Sequence, residues 1–187
     1  MRKGHVMSKL AFIFPGQGAQ KAGMGKDFYE NSEAARSFFD QAQKILDFDL
    51  KEMCFGEHEE LNLTEYTQPC MVSVCLAIVQ ELKKRGINPD ITAGLSLGEY
   101  AAVAAAGGMN ELDAIKLVRR RGILMQSTVP AGEGAMAAVL GLDAKKIEEI
   151  LESFENVWIA NYNCPGQIVI TGLTNEVKQA SLALKEA

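Results

Sequence analysis

Ile91-Thr92-Ala93-Gly94-Leu95-Ser96-Leu97-Gly98-Glu99 sets a serine between two glycines, after an apolar strand-like run and before the alanine-rich stretch that continues to Ala106. Strand, turn and helix in that order place Ser96 on a sharp turn with its hydroxyl lifted clear of the backbone. Glycine at 94 and 98 leaves room for the turn, because a Cβ at either position would crowd the neighbouring elements. The Leu97 N–H, first in the helix, then points at any oxyanion formed when Ser96 attacks a carbonyl. The five-residue pattern alone also fits an ordinary glycine turn. The preceding strand and the strong helix former that follows decide for a nucleophile, and so for acyl chemistry on serine.

Upstream of this elbow, Leu10–Phe14 reads as a buried strand, and Pro15–Gln20 as a turn leaving its C-terminal end. A helix is expected from about Ser32 to Leu46, with Ala35, Phe38, Phe39 and Ala42 on its apolar face. Thr67-Gln68-Pro69 reads as the start of another, with Thr67 as the cap. Met71, Val74, Cys75, Ile78 and Leu82 form its apolar stripe and Gly86 ends it. Asn110 caps a further helix with Asp113 in its first turn.

Past Pro130 the pattern changes. Ala135–Leu140 is strand-like, Asp143 caps a helix carrying Ile147, Ile150 and Leu151, and Val157–Tyr162 is a strand. A turn at Asn163–Gly166 leads into Gln167–Thr171, and Thr174 caps a final helix. The order β-α-β-β-α is a split βαβ plan with its last strand missing. A boundary therefore falls after residue 129, giving a large unit over 1–129, with residues 1–7 a disordered extension, and a small unit over 130–187.

The 187 residues suit one domain or one and a half, and the 48% apolar and 23% charged fractions are those of an ordinary globular protein. A net charge of −5 with no basic stripe argues against nucleic acid as a partner. The apolar run Leu10–Phe14 is too short for a signal peptide, and no segment is long enough for a membrane span. Cys54, Cys70, Cys75 and Cys164 have no metal-ligand or paired spacing, which suits reduced thiols and a cytoplasmic location. His58 sits among Glu57, Glu59 and Glu60, which is poor metal-ligand geometry, so no metal is expected.

Taken in order, Phe14-Pro-Gly-Gln-Gly-Ala-Gln20, Gly94-Leu-Ser-Leu-Gly-Glu99, Arg121-Gly-Ile-Leu-Met-Gln126, Gly134-Ala-Met-Ala-Ala-Val139 and Asn161-Tyr-Asn-Cys-Pro-Gly-Gln167 resemble the malonyl-CoA:acyl carrier protein transacylases. The acyltransferase domains of polyketide synthases are close relatives. The resemblance spans residues 8 to 187. It implies an α/β-hydrolase-like core with a ferredoxin-like small subdomain, both incomplete in this chain. The activity it implies is ping-pong transfer of malonyl from malonyl-CoA, through a malonyl-Ser96 ester, to the phosphopantetheine thiol of acyl carrier protein in fatty-acid synthesis. CoA enters as substrate, and no cofactor is implied.

By the same resemblance Arg121 holds the malonyl carboxylate, because a guanidinium fork matches a planar carboxylate. Helix spacing supports that choice among Arg119, Arg120 and Arg121: Arg120 shares a solvated face with Lys116 and Ser127, while Arg121 shares a face with Leu117 and Leu124, read as buried. Gln17 is implied to give the second oxyanion-hole N–H beside that of Leu97. Asn161 and Asn163 flank a turn that the resemblance brings near the site.

There are two departures from the family pattern. Leu95 stands where a histidine often precedes the nucleophile, a matter of positioning. The family's catalytic histidine lies downstream of the matched segment, and neither His5 nor His58 takes that role. Two other readings compete: a serine hydrolase or thioesterase on the same elbow, and a truncated, inactive chain. Missing strands are also expected to leave sheet edges unpaired.

Overall fold

Ala11–Phe14 forms strand β1 and Ile91–Gly94 forms β2, and the two run parallel with Phe14 opposite Gly94. The turn after each strand thus leaves the same end of the sheet, where ligands of open parallel sheets bind. The computed structural model describes residues 9–129 and 132–187, so the extension expected over 1–7 lies outside the described residues. The class is mixed α/β, and the chain divides into two units, one ending at Gln126 and the other starting at Ser127.

In the first unit β1 is followed by α1 (Lys26–Asn31), α2 (Glu33–Gln43), α3 (Leu50–Phe55), a 3-10 turn (Glu59–Asn62) and α4 (Thr64–Lys84). After β2 come α5 (Leu97–Ala105) and α6 (Glu111–Thr128). The Ser32 hydroxyl caps α2 by accepting from the Ala35 N–H, and Asn110 caps α6 by accepting from Leu112 and Asp113.

Helix α4 differs from its expected form in two ways. It begins at Thr64, three residues before Thr67, so Pro69 lies inside it. Proline lacks the N–H that would meet the carbonyl of Glu65, four residues back. Arg119 Nη1 takes that carbonyl instead, at 2.8 Å. The helix is also buried nearly all round from Thr67 to Val79 rather than along one stripe, because α2, α3, α5 and the 3-10 turn pack about it. Val72, Leu76 and Val79 are fully buried and pack with Phe39, Leu97 and Ile115 in one core, each such side chain contributing about 2 kcal/mol. The end at Gly86 is as expected, the glycine adopting φ 75° just past the helix.

The elbow glycines permit the contact between α5 and the sheet. A Cβ on Gly94 would run into the Gly98 carbonyl, and one on Gly98 would lie 2.5 Å from the Phe14 oxygen and 2.6 Å from that of Pro15. Backbone cannot yield as a side chain does. Gly98→Ala is therefore expected to cost about 3 kcal/mol through forced separation of α5 from β1. That corresponds to a fall of about 10 °C in the midpoint of thermal unfolding followed by circular dichroism. An unchanged midpoint would contradict the close packing.

The second unit is β3 (Gly134–Leu140), α7 (Ala144–Leu151), β4 (Val157–Cys164), β5 (Gln167–Leu173) and α8 (Thr174–Glu186). Its sheet is antiparallel in the order β3-β5-β4. Ile147, Leu151, Ile170, Val177 and Leu184 form its core, while Met136, Leu140 and Trp158 are exposed. Asp143 caps α7 through the Lys145 N–H. Thr174 is not a cap: its hydroxyl donates to the Gly132 carbonyl at 2.7 Å, with Leu173 at the cap position. Asn161 lies in β4 as expected, and Asn163 belongs to the strand too rather than to the turn, because β4 continues through two register shifts to Cys164.

The four cysteines are free, Cys54 and Cys70 buried, Cys75 half-buried and Cys164 exposed. Burial pushes the Cys75 thiol up to about 11. Among the described residues no helix is long and apolar enough to cross a membrane.

Candidate active site

Ser96 occupies the turn between β2 and α5 with φ 54° and ψ −111°, the one positive φ at a non-glycine position among the described residues. Such a conformation costs on the order of 1–3 kcal/mol and persists because the surroundings over-determine it. Here the Gly94–Gly98 contact on one side and the buried Leu97 side chain on the other hold the turn. The Ser96 side chain is exposed. Among the described residues, no acceptor in the chain takes the backbone N–H of Leu97 or of Gln17. The Leu97 N–H is also at the positive end of the α5 dipole.

Arg121 reaches the serine from α6. Its Nη2 donates to Ser96 Oγ at 3.0 Å and its Nη1 to Gln68 Oε1 at 2.6 Å. Gln68 is fully buried in α4, and its Nε2 donates to Thr64 Oγ1 at 3.0 Å and meets the Met125 sulfur at 3.4 Å. The Thr64 hydroxyl in turn donates to Gln17 Oε1 at 2.7 Å. The direction of this relay follows from its first member. Arginine has only donors, so Gln68 must present its oxygen to it, and its amide then faces Thr64, whose proton is left for Gln17. One chain of hydrogen bonds thereby joins the elbow, α6, α4 and the loop after β1.

The segment from Arg121 to Gln126 is built for this approach. A Cβ on Gly122 would lie 2.7 Å from the Glu65 Cα and 2.8 Å from the Thr64 oxygen, so only glycine lets α6 come this close to the start of α4. Gln126 Oε1 accepts from the Thr64 N–H at 3.2 Å. The guanidinium of Arg121 also lies 5.9 Å from the centre of the Tyr100 ring.

The neighbours expected to bury Arg121 do not. Leu117 and Leu124 are each half exposed, and the buried face of α6 is Ala114, Ile115, Val118 and Gly122. Arg121 is fixed instead by its bond to buried Gln68. Arg120 is exposed, as its face implied.

Arg119 serves the fold. Its guanidinium forms two 2.9 Å bonds to the Asp47 carboxylate and one of 3.2 Å to that of Glu65, and lies between the rings of Phe48 and Tyr66 at 5.1 and 5.0 Å. Its hydrogen bond is the main reason the Asp47 carboxyl lies below its usual range.

Gln68 and Thr64 are the site residues that sequence reasoning missed. The available signal was a glutamine immediately before the apolar run Pro69-Cys-Met-Val, since a buried amide needs partners. His58 bonds to Glu52 of α3 at 3.0 Å, and among the described residues no histidine is hydrogen-bonded to Ser96. No group of side chains suited to hold a metal occurs among the described residues.

The chain is 48% identical over 185 residues to the malonyl CoA-acyl carrier protein transacylase of Bacillus subtilis (strain 168), covering 96% of this chain and 58% of that protein. The crystal structure of the malonyl CoA-acyl carrier protein transacylase from Clostridium perfringens Atcc 13124 is similar at a TM-score of 0.86 and 44% identity, over 96% of this chain and 58% of that one. A structure described as a type II PKS acyl-carrier protein in complex with its malonyl-transacylase is similar at a TM-score of 0.87 and 38% identity, over 96% and 60%. The chain thus spans less than two thirds of the relatives it matches. Residues 11–187 match the family described as the acyl transferase domain, and to that family this chain belongs.

Proposed function

We propose that Ser96 accepts a malonyl group from malonyl-CoA and passes it to the phosphopantetheine thiol of an acyl carrier protein, for fatty-acid synthesis. The observation that carries this reading is the guanidinium of Arg121, fixed 3.0 Å from the serine oxygen. An acyl group with its own carboxylate fits a serine nucleophile with a cation at its side. A plain acyl group leaves that cation unused.

In the first half-reaction Ser96 Oγ bonds to the thioester carbon, the C–S bond breaks and CoA leaves as its thiol, taking up the serine proton through a base. The N–H groups of Leu97 and Gln17 hold the oxyanion of the tetrahedral intermediate. In the second the carrier thiol attacks the ester carbon, the C–Oγ bond breaks and the proton returns to Ser96. Arg121 binds the malonyl carboxylate throughout. The base is a histidine supplied from outside the matched segment, in keeping with the greater length of the relatives. Leu95 adjusts the position of the elbow and takes no part in the chemistry.

The architecture belonging to this function is an α/β-hydrolase-like core followed by a ferredoxin-like unit. The parallel β1–β2 pair with its elbow and the β3-β5-β4 order with two helices support it. The end of α6 at Thr128 supports a boundary between residues 129 and 130. The substrate is carried as a CoA thioester with no further cofactor, neither nucleic acid nor membrane is a partner, and the location is the cytoplasm.

The test is incubation of the protein, with the segment that carries the base present as in every loading assay below, with malonyl-CoA and a carrier protein bearing its phosphopantetheine arm. Malonyl should appear on the carrier thiol, measured by intact mass, faster than free malonate is released. Malonate release that is indifferent to carrier protein would show a hydrolase instead.

A further inference from the structure

We infer that Gln68 is a positioning residue that sets the length of the acyl group Ser96 can carry, by limiting how far Arg121 can withdraw. The inference rests on the transfer reading above. With Arg121 Nη2 at 3.0 Å from Ser96 Oγ there is no room between them for an acyl chain. Once the serine is acylated, its ester carbon, the methylene and the carboxylate must all fit between these two atoms, so the guanidinium must retreat.

How far it can go depends on its other arm. Nη1 is held by Gln68 Oε1 at 2.6 Å, a short charge-assisted bond. Gln68 cannot follow the retreating cation. It is fully buried, its amide is held by Thr64 and touches the Met125 sulfur, and Thr64 is itself fixed by Gln17 and Gln126. A malonyl group, with one methylene, demands a smaller retreat than any of its longer dicarboxylic homologues. Succinyl adds one carbon–carbon bond, about 1.5 Å. Stretching the Arg121–Gln68 bond by that much takes it past hydrogen-bond range and leaves a buried carbonyl without its donor. The site therefore excludes longer dicarboxylic acyl groups through this anchor rather than through a steric wall.

Gln68→Asn tests this, because it keeps the amide and draws the acceptor back by about one bond, roughly 1.5 Å. Gln68→Met keeps the volume of the side chain and removes the anchor altogether. The chain and both variants are incubated separately with malonyl-CoA and succinyl-CoA, initial adduct formation is followed by intact mass, and folding is checked by circular dichroism. The malonyl-to-succinyl ratio should fall at least about tenfold in Gln68→Asn, equivalent to about 1.4 kcal/mol, and approach equality in Gln68→Met. If Gln68→Asn does not fold, the volume-conserving Gln68→Met decides. Folded variants that retain the parent ratio, or lose both loadings equally, overturn the inference and leave the transfer reading intact. Failure of the unsubstituted protein, with the base-bearing segment present, to load from either thioester overturns both.

Discussion

Ser96→Ala is expected to abolish adduct formation from malonyl-CoA outright, with no residual modification above the rate of non-enzymatic thioester reaction. Among the described residues, the other hydrogen-bond partner of the Arg121 guanidinium is the carbonyl oxygen of Gln68, which cannot attack. Cys164 is the one exposed thiol among the described residues and belongs to the other unit, so a thioester-exchange product there would be separable by its sensitivity to alkylation. The alanine variant should fold. Ser96 caps no helix N–H, and its side chain is exposed. Retained loading in a folded Ser96→Ala chain would remove the nucleophile from the account.

Arg121→Ala is expected to lower malonyl loading by about 10²–10³-fold, the size of losing a charge-assisted, two-point carboxylate contact. Acetyl loading, which offers no carboxylate, should change less than about tenfold. The substitution also leaves the buried Gln68 oxygen without a donor, costing about 1–3 kcal/mol of stability, so loading should be measured well below the lowered thermal midpoint. Arg121→Lys keeps a charge but not the fork, and should not restore the malonyl preference. Equal losses for malonyl and acetyl would mean that Arg121 supports Ser96 without reading the substrate.

What could be seen in the sequence was local. The elbow was legible because Gly94 and Gly98 report a steric constraint within five residues, and the caps at Asn110 and Asp143 because a capping oxygen and its N–H partners lie two or three residues apart. The contents of the site depended on contacts far apart in the chain. Pro69 reads as a helix start until Arg119, fifty residues later, supplies the donor its ring removes. Thr174 reads as a cap until its hydroxyl is seen to donate to Gly132. Periodicity placed Leu117 and Leu124 on the Arg121 side of α6 but could not say which side the rest of the molecule covers. Helices α1 and α3 are six residues each, too short for periodicity and held by packing rather than propensity. Gln68 and Thr64 acquire their meaning only when Gly122 lets α6 close on α4.

The measurement that bears most directly on the central claim is peptide mapping of the unsubstituted chain, quenched in acid after exposure to malonyl-CoA. Ser96, strained, exposed and facing a pinned guanidinium, should carry the malonyl ester within the peptide spanning Ile91–Glu99. A malonyl group found on any other residue, with that peptide unmodified, would contradict the account.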